Sequence, residues 1–167
     1  MKKILSIDGG GTRGIIPATF LNCIAEDTGK HPLDLFDIFT GTSTGGIITL
    51  ALSQGVATSE IVNLFLKESK RIFADSTLDD VRDAGNLFGA QYDNANLKKI
   101  VTKHLGNDTL EDLHKKYGEE KIFMISSFDL YPEDKDGNIS NFCPVVYNSS
   151  YQKCKEEKLV DIALRTS

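Results

Sequence analysis

Short apolar runs closed by glycine alternate along this chain with longer segments whose apolar residues recur every three or four positions. Lys3-Ile4-Leu5-Ser6-Ile7 is brief, partly β-branched and stopped by Asp8-Gly9-Gly10-Gly11, so it reads as a buried strand entering a glycine loop. From Ile15, the residues Ile16, Phe20, Leu21, Ile24 and Ala25 keep a helical period, with Pro17 tolerated in the first turn and Gly29 as the stop. Asp37-Ile38-Phe39-Thr40 predicts a second strand, and Thr44 to Leu52 a helix apolar nearly all round, ended by Gly55. A helix without a polar face belongs inside a core.

This βαβα opening predicts an α/β fold with a mostly parallel sheet, helices on both faces and right-handed crossovers. Further on, residues 59–73 carry helical spacing in Ile61, Leu64, Phe65 and Ile72, and residues 75–93 read as loop-rich. Asn94 can cap a helix closed by Gly106, and Thr109 with Asp112 forms a capping-box pattern for another. Lys121 to Phe128 and Val145 to Asn148 read as strands joined by a loop containing Pro132 and an Asp136-Gly137 turn, and a last helix is expected near Glu156 to Leu164. With no internal repeat or linker, residues 1–167 are expected to form one domain.

Composition narrows the function. Hydrophobic residues make up 40% of the 167 and charged residues 26%, ordinary values for a globular chain able to bury a sizeable core. A net charge of -5 without a basic stripe argues against nucleic acid as a partner. The four mostly apolar positions before Asp8 are too few for an export signal, and the apolar stretch Ile47 to Leu52 is far too short to span a bilayer, so any membrane contact is expected to be peripheral. Cys23, Cys143 and Cys154 are an odd count without metal-type spacing, which fits a reducing, cytoplasmic setting. No cofactor and no metal ion is expected, and nothing in the chain fixes an oligomeric state.

The candidate chemistry lies at the ends of the first two strands. Gly41-Thr42-Ser43-Thr44-Gly45 has the spacing of a nucleophile elbow, in which a serine at the tip of a sharp strand-to-helix turn is flanked by glycines that relieve backbone crowding. The following helix would aim N–H groups and its positive dipole end at charge developing beside Ser43. Chance supplies such a match about once in twenty chains of this length, so the loop Asp8-Gly9-Gly10-Gly11-Thr12-Arg13-Gly14 carries much of the argument. If the two strands are parallel neighbours, both loops emerge at one sheet edge. Gly9, Gly10, Gly11, Thr12, Arg13 and Gly14 could then present backbone donors to an oxyanion, with the Arg13 charge nearby.

Gly9-x-Gly11-x-x-Gly14 also satisfies a dinucleotide fingerprint, but the second strand does not end at the acidic residue such a site uses for the ribose; Asp34 and Asp37 precede its end. Asp8 to Gly14 also resembles the phosphate loop of actin-like sugar kinases, which makes a nucleotide-binding phosphotransferase the alternative reading. Those folds follow the loop with an antiparallel hairpin, whereas a helix is predicted here. Tight binding of ATP or NAD would separate the classes.

A serine nucleophile needs a base. His31 precedes the second strand, toward the sheet edge opposite the elbow, and His104 and His114 lie on separate predicted helices, so no Ser-His-Asp triad can be drawn. Among loop acids, Asp8 can simply shape the glycine loop. Asp129 is a further loop acid, and Asp136 sits in a charged turn with Glu133, Asp134 and Lys135.

The Asp8–Gly14 loop and the Gly41–Gly45 elbow closely resemble the two motifs of the patatin-like phospholipase family, and the likeness extends to Tyr92 through Leu105, to Ile122-Phe123-Met124 with Pro144-Val145-Val146, and to Ala163-Leu164-Arg165-Thr166-Ser167. The resemblance implies a Ser-Asp dyad in which Ser43 attacks a lipid acyl ester, an aspartate takes its proton and the Gly9–Gly14 backbone holds the oxyanion. The family's aspartate lies in an Asp-Gly-Gly or Asp-Gly-Ala motif downstream of the Ala-x-x-Thr-Ser segment. Asp136-Gly137-Asn138 precedes that segment and does not match, so residues 1–167 are expected to be the N-terminal part of such a domain, with little or no hydrolase activity alone. The helix from Ile61 to Phe73, with Lys67, Lys70 and Arg71 beside apolar residues, is a candidate for membrane contact, but a core-packed amphipathic helix is the favoured reading, since its apolar residues are what any surface helix needs.

Overall fold

A computed structural model describes residues 1–73, 94–129 and 143–167. The expectations for residues 75–93, for Tyr92, and for the loop with Pro132 and Asp136-Gly137 lie outside the described residues. Among the described residues, four strands form one sheet in the order β1 (Ile4–Ile7), β2 (Ile38–Thr42), β3 (Ile122–Asp129) and β4 (Cys143–Asn148). The first three run parallel, and β4 pairs antiparallel with β3, giving the mostly parallel sheet that the alternation predicts.

Register explains the core. Leu5, Phe39 and Phe123 stand side by side across three strands, followed by Ile7, Gly41 and Ile125. Phe39 and Phe123 are fully buried and stack with centroids 5.1 Å apart. Helix α3 (Thr44–Ser53) lies on this face, and all its residues except Ile47 are buried, as its lack of a polar side requires. The intervening residues Ile38, Thr40, Ile122 and Met124 project to the opposite face, where they are half-buried.

Helix α1 (Ile15–Thr28) ends at Gly29, whose φ of 65° supplies the left-handed stop. A short helix that the pattern did not predict, α2 (Pro32–Leu35), follows His31. The His31 side chain caps it, with Nδ1 accepting from Leu33 N–H at 3.2 Å. Helix α4 (Thr58–Phe73) packs on α1, α5 (Asn94–Leu105) closes at Gly106, and α6 (Leu110–Tyr117) opens on the complete Thr109–Asp112 capping box. Tyr117 of α6 lies over Phe123 and donates its hydroxyl to Ser53 O at 2.7 Å, fastening α6 to the end of α3.

The last helix, α7, spans Leu159–Thr166 rather than starting near Glu156. Lys158 stays extended because it bridges to Thr109, and Leu159 N–H donates to Asp108 O at 2.9 Å. Residues 152–154 form a short 3-10 turn instead. No helix among the described residues is long and apolar enough to cross a membrane.

Candidate active site

Because β1 and β2 are parallel neighbours, with Ile7 opposite Gly41, the glycine loop and the elbow leave the sheet at the same carboxyl edge. Strand β2 runs through Gly41 and Thr42, two residues further than its apolar run, and delivers Ser43 directly into α3. Ser43 has φ 52° and ψ -127°, the one non-glycine residue with positive φ among the described residues. Such a conformation costs of order 1–3 kcal/mol and persists only where the surroundings enforce it.

The flanking glycines are steric necessities. A Cβ on Gly41 would run into the backbone of Gly45, and one on Gly45 would overlap the carbonyl of Ile7. The sharp turn therefore brings β1, β2 and α3 to within backbone contact. Gly46 is close-packed as well, with Ile125 and Thr166 each 3.0 Å from where its Cβ would sit. Ser43 C=O accepts from Ile47 N–H at 3.0 Å, opening α3 with its N-terminus beside the serine.

The glycine loop closes on this turn from the β1 side. Gly11–Gly14 form a 3-10 turn leading directly into α1, so a helix follows the loop and not the hairpin of the phosphotransferase alternative. A Cβ on Gly9 would lie 3.0 Å from Ser43 Cβ, which places the loop backbone against the serine. Gly11 takes φ 55°, and buried Gly14 packs against Phe65 of α4 and Thr44, whose buried hydroxyl has no hydrogen-bond partner among the described residues. Arg13 N–H donates to Gly10 O at 3.0 Å and Arg13 Nε to the same carbonyl at 3.4 Å, while Thr12 is exposed. Among the described residues, the N–H groups of Gly9 and Gly10 donate to no protein acceptor. A cleft of 380 Å³ borders the loop, walled by Leu5, Ile7, Ile16, Pro17 and Phe20, with Arg13 at its rim.

Elements far along the chain hold the elbow from the other side. Ser43 N–H donates to Thr166 Oγ1 at 2.8 Å, and the Thr166 hydroxyl donates to Ser126 O at 2.6 Å. Thr42 and Ser126 hydrogen-bond through their hydroxyls, and Ser127 Oγ donates to Arg165 O at 2.6 Å. Arg165 anchors the same helix end by donating to Tyr147 OH at 3.0 Å and to Glu157 at 2.8 Å. The Tyr147 bond chiefly, with Glu157 adding, raises its already high pKa. Thr166 falls in the Ala-x-x-Thr-Ser segment that carries part of the family resemblance, but nothing in that segment signals its bond to Ser43.

Among the described residues, Ser43 Oγ makes no hydrogen bond to a base. His31 is fully engaged: since Nδ1 accepts from Leu33, Nε2 carries the proton and donates to Val56 O at 3.0 Å. His104 faces Glu60 at 3.7 Å between α5 and α4, and His114 lies on α6. Asp8 stands exposed at the start of the glycine loop. The described residues contain no group of His, Cys, Asp and Glu able to hold a metal ion.

A mostly parallel α/β sheet whose second strand breaks into a helix at a left-handed serine, with a glycine-rich turn against it, defines an α/β protein of the strand–serine–helix elbow class. The family model for patatin-like phospholipase matches residues 5–167, and the chain belongs to that family. It is 30% identical over 186 residues to Patatin-like protein 2 of Oryza sativa, a match covering 100% of this chain and 42% of that protein. Patatin-T5 of Solanum tuberosum is 33% identical over 144 residues, covering 78% of this chain and 34% of the relative. Among solved structures, ExoU in its heterodimeric complex with SpcU from Pseudomonas aeruginosa shares the fold, with a TM-score of 0.54 at 18% identity over 97% of this chain and 35% of that one. The chain thus spans well under half the length of these relatives.

Proposed function

We propose that Ser43 is the nucleophile of a serine acyl hydrolase that cleaves carboxylic ester bonds of phospholipids or related acyl lipids. The observation that carries this reading is the left-handed backbone of Ser43 at the strand–helix junction, with Gly9 packed against its Cβ. Nothing in packing alone rewards a serine in that conformation. Membership of the patatin-like phospholipase family supports a lipid ester as substrate.

In this mechanism Ser43 Oγ attacks the ester carbonyl carbon as its proton passes to a base, and the carbonyl oxygen becomes an oxyanion. The unpaired N–H groups of Gly9 and Gly10 and the N-terminus of α3 are the donors nearest that charge. Each well-placed donor is worth ~2.7–4 kcal/mol in the transition state. Collapse of the intermediate expels the alcohol, which recovers the proton, and leaves an acyl ester on Ser43 that water then cleaves by the same steps. The base is the aspartate of a Ser-Asp dyad, as the family resemblance implies, and we assign it to none of the described residues. Arg13 adds positive charge at the rim, suited to a phosphate-bearing lipid. The reaction needs no cofactor or metal.

The test is a fluorophosphonate probe on the natural full-length protein, read by peptide mass spectrometry. An adduct on Ser43, lost on Ser43→Ala, is expected. A folded protein left unmodified at Ser43 would overturn the proposal, and tight ATP binding would favour the phosphotransferase instead.

A further inference from the structure

We propose that Thr166 is a positioning residue for the nucleophile: its hydroxyl takes up the Ser43 N–H and locks the left-handed elbow against the end of β3. The inference rests on the reading of Ser43 as the nucleophile. Three observations converge on it. Thr166 is buried, and its single hydroxyl is used twice, accepting from Ser43 N–H at 2.8 Å and donating to Ser126 O at 2.6 Å. Its methyl group lies 3.0 Å from the position a Gly46 Cβ would take, so the side chain packs closely against the first turn of α3. The helix end that carries it is fixed independently, by Ser127 to Arg165 O and by Arg165 to Tyr147 and Glu157.

Two consequences follow for the chemistry. The Ser43 φ of 52° needs an external restraint, and a part-buried hydrogen bond from its own N–H helps to hold the backbone torsion that places the side chain. In addition, Ser43 N–H is committed to Thr166 and does not serve the oxyanion, which leaves that task to the unpaired N–H groups of the glycine loop and the N-terminus of α3. A hydroxyl able to accept and donate at once is required at position 166. Serine meets this requirement, whereas valine fills the same volume without it.

The experiment measures two quantities in the natural full-length protein: exchange of the Ser43 amide hydrogen, resolved by mass spectrometry with electron-transfer fragmentation, and the rate of Ser43 phosphonylation. In the wild type the Ser43 amide should be protected like the core amides of α3; free exchange there overturns the proposal without any variant. Thr166→Val should speed Ser43 amide exchange and slow phosphonylation, each by up to about tenfold as the loss of one part-buried hydrogen bond implies, with Leu50 and Leu52 amides unchanged. Thr166→Ser should restore both values. Wild-type rates in Thr166→Val, or a Thr166→Ser protein as impaired as Thr166→Val, overturn the proposal. A wild type that resists phosphonylation refutes the nucleophile and with it any positioning role, even if the amide is protected.

Discussion

Gly45 sits where β1 and α3 touch backbone to backbone, and no side chain can be inserted there without moving one of them. A methyl at this position would overlap Ile7 O and crowd Asp8 O at 2.8 Å, and neither carbonyl can give way without breaking the sheet edge. We therefore expect Gly45→Ala to cost ~3 kcal/mol or more, at the upper end of overpacking penalties. Gly29→Ala supplies the contrast: φ is 65° but nothing lies within 4 Å, so only the left-handed backbone penalty of ~1–2 kcal/mol applies. Urea titration of the two variants checks the difference, and equal midpoints would show that the elbow is looser than its geometry. Both glycines were legible in the sequence because each is required locally, by a turn or a stop. Thr166 was not legible in this way: it meets Ser43 across 123 positions, and a buried threonine near a helix end carries no periodic signal of the partner it will find.

At the level of elements, the segments that matched their patterns are those whose ends are set by neighbouring residues. Helix α6 begins where Thr109 and Asp112 say it should: Asp112 Oδ2 accepts from Thr109 N–H at 2.9 Å and from its hydroxyl at 2.8 Å. Helix α7 begins later than its apolar pattern indicates because Lys158 is drawn into a bridge with Thr109, a long-range pairing that periodicity cannot report. The short helix after His31 was hidden for a similar reason, since a histidine cap is weaker punctuation than Ser, Thr, Asp or Asn. The capping box makes a quantitative expectation. Thr109→Ala should destabilise by ~1 kcal/mol. The two Thr109 bonds, the backbone one first, hold the Asp112 carboxyl below its ordinary value, so the folded state binds the acid proton less readily than the unfolded state. Its contribution is therefore complete above pH ~4 and disappears as pH falls through the lowered folded value. Stability of Asp112→Asn relative to wild type, measured by thermal melts from pH 6 to 2, should show a deficit that shrinks on acidification. A constant deficit would mean that the carboxylate charge plays no part in the cap.

For the whole molecule, the decisive relation is that the first two strands are parallel and adjacent, which delivers two glycine-rich turns to one edge and brings Gly9 against Ser43. That much follows from the alternation of strands and helices, because a parallel pair requires its crossover helix and sends both carboxyl ends the same way. The base does not follow from it. His31 caps α2 and bonds Val56 O, His104 on α5 faces Glu60 and His114 lies on α6, and among the described residues the Ser43 hydroxyl has no hydrogen-bonded base. A nucleophile with its oxyanion donors but without an aligned base retains only the part of catalysis that binding and the oxyanion site supply, in a well-studied triad ~10³–10⁴-fold over water. Residues 1–167 alone are accordingly expected to turn over an activated ester weakly, and Ser43→Ala should change that rate little, because without deprotonation the serine hydroxyl competes poorly as a nucleophile. Steady-state hydrolysis of a p-nitrophenyl ester by the 167-residue chain and its Ser43→Ala variant provides the measurement. Brisk turnover abolished by the substitution would place the base within these residues, with Asp8 and Asp129, the acids at the ends of β1 and β3, the first positions to replace by asparagine.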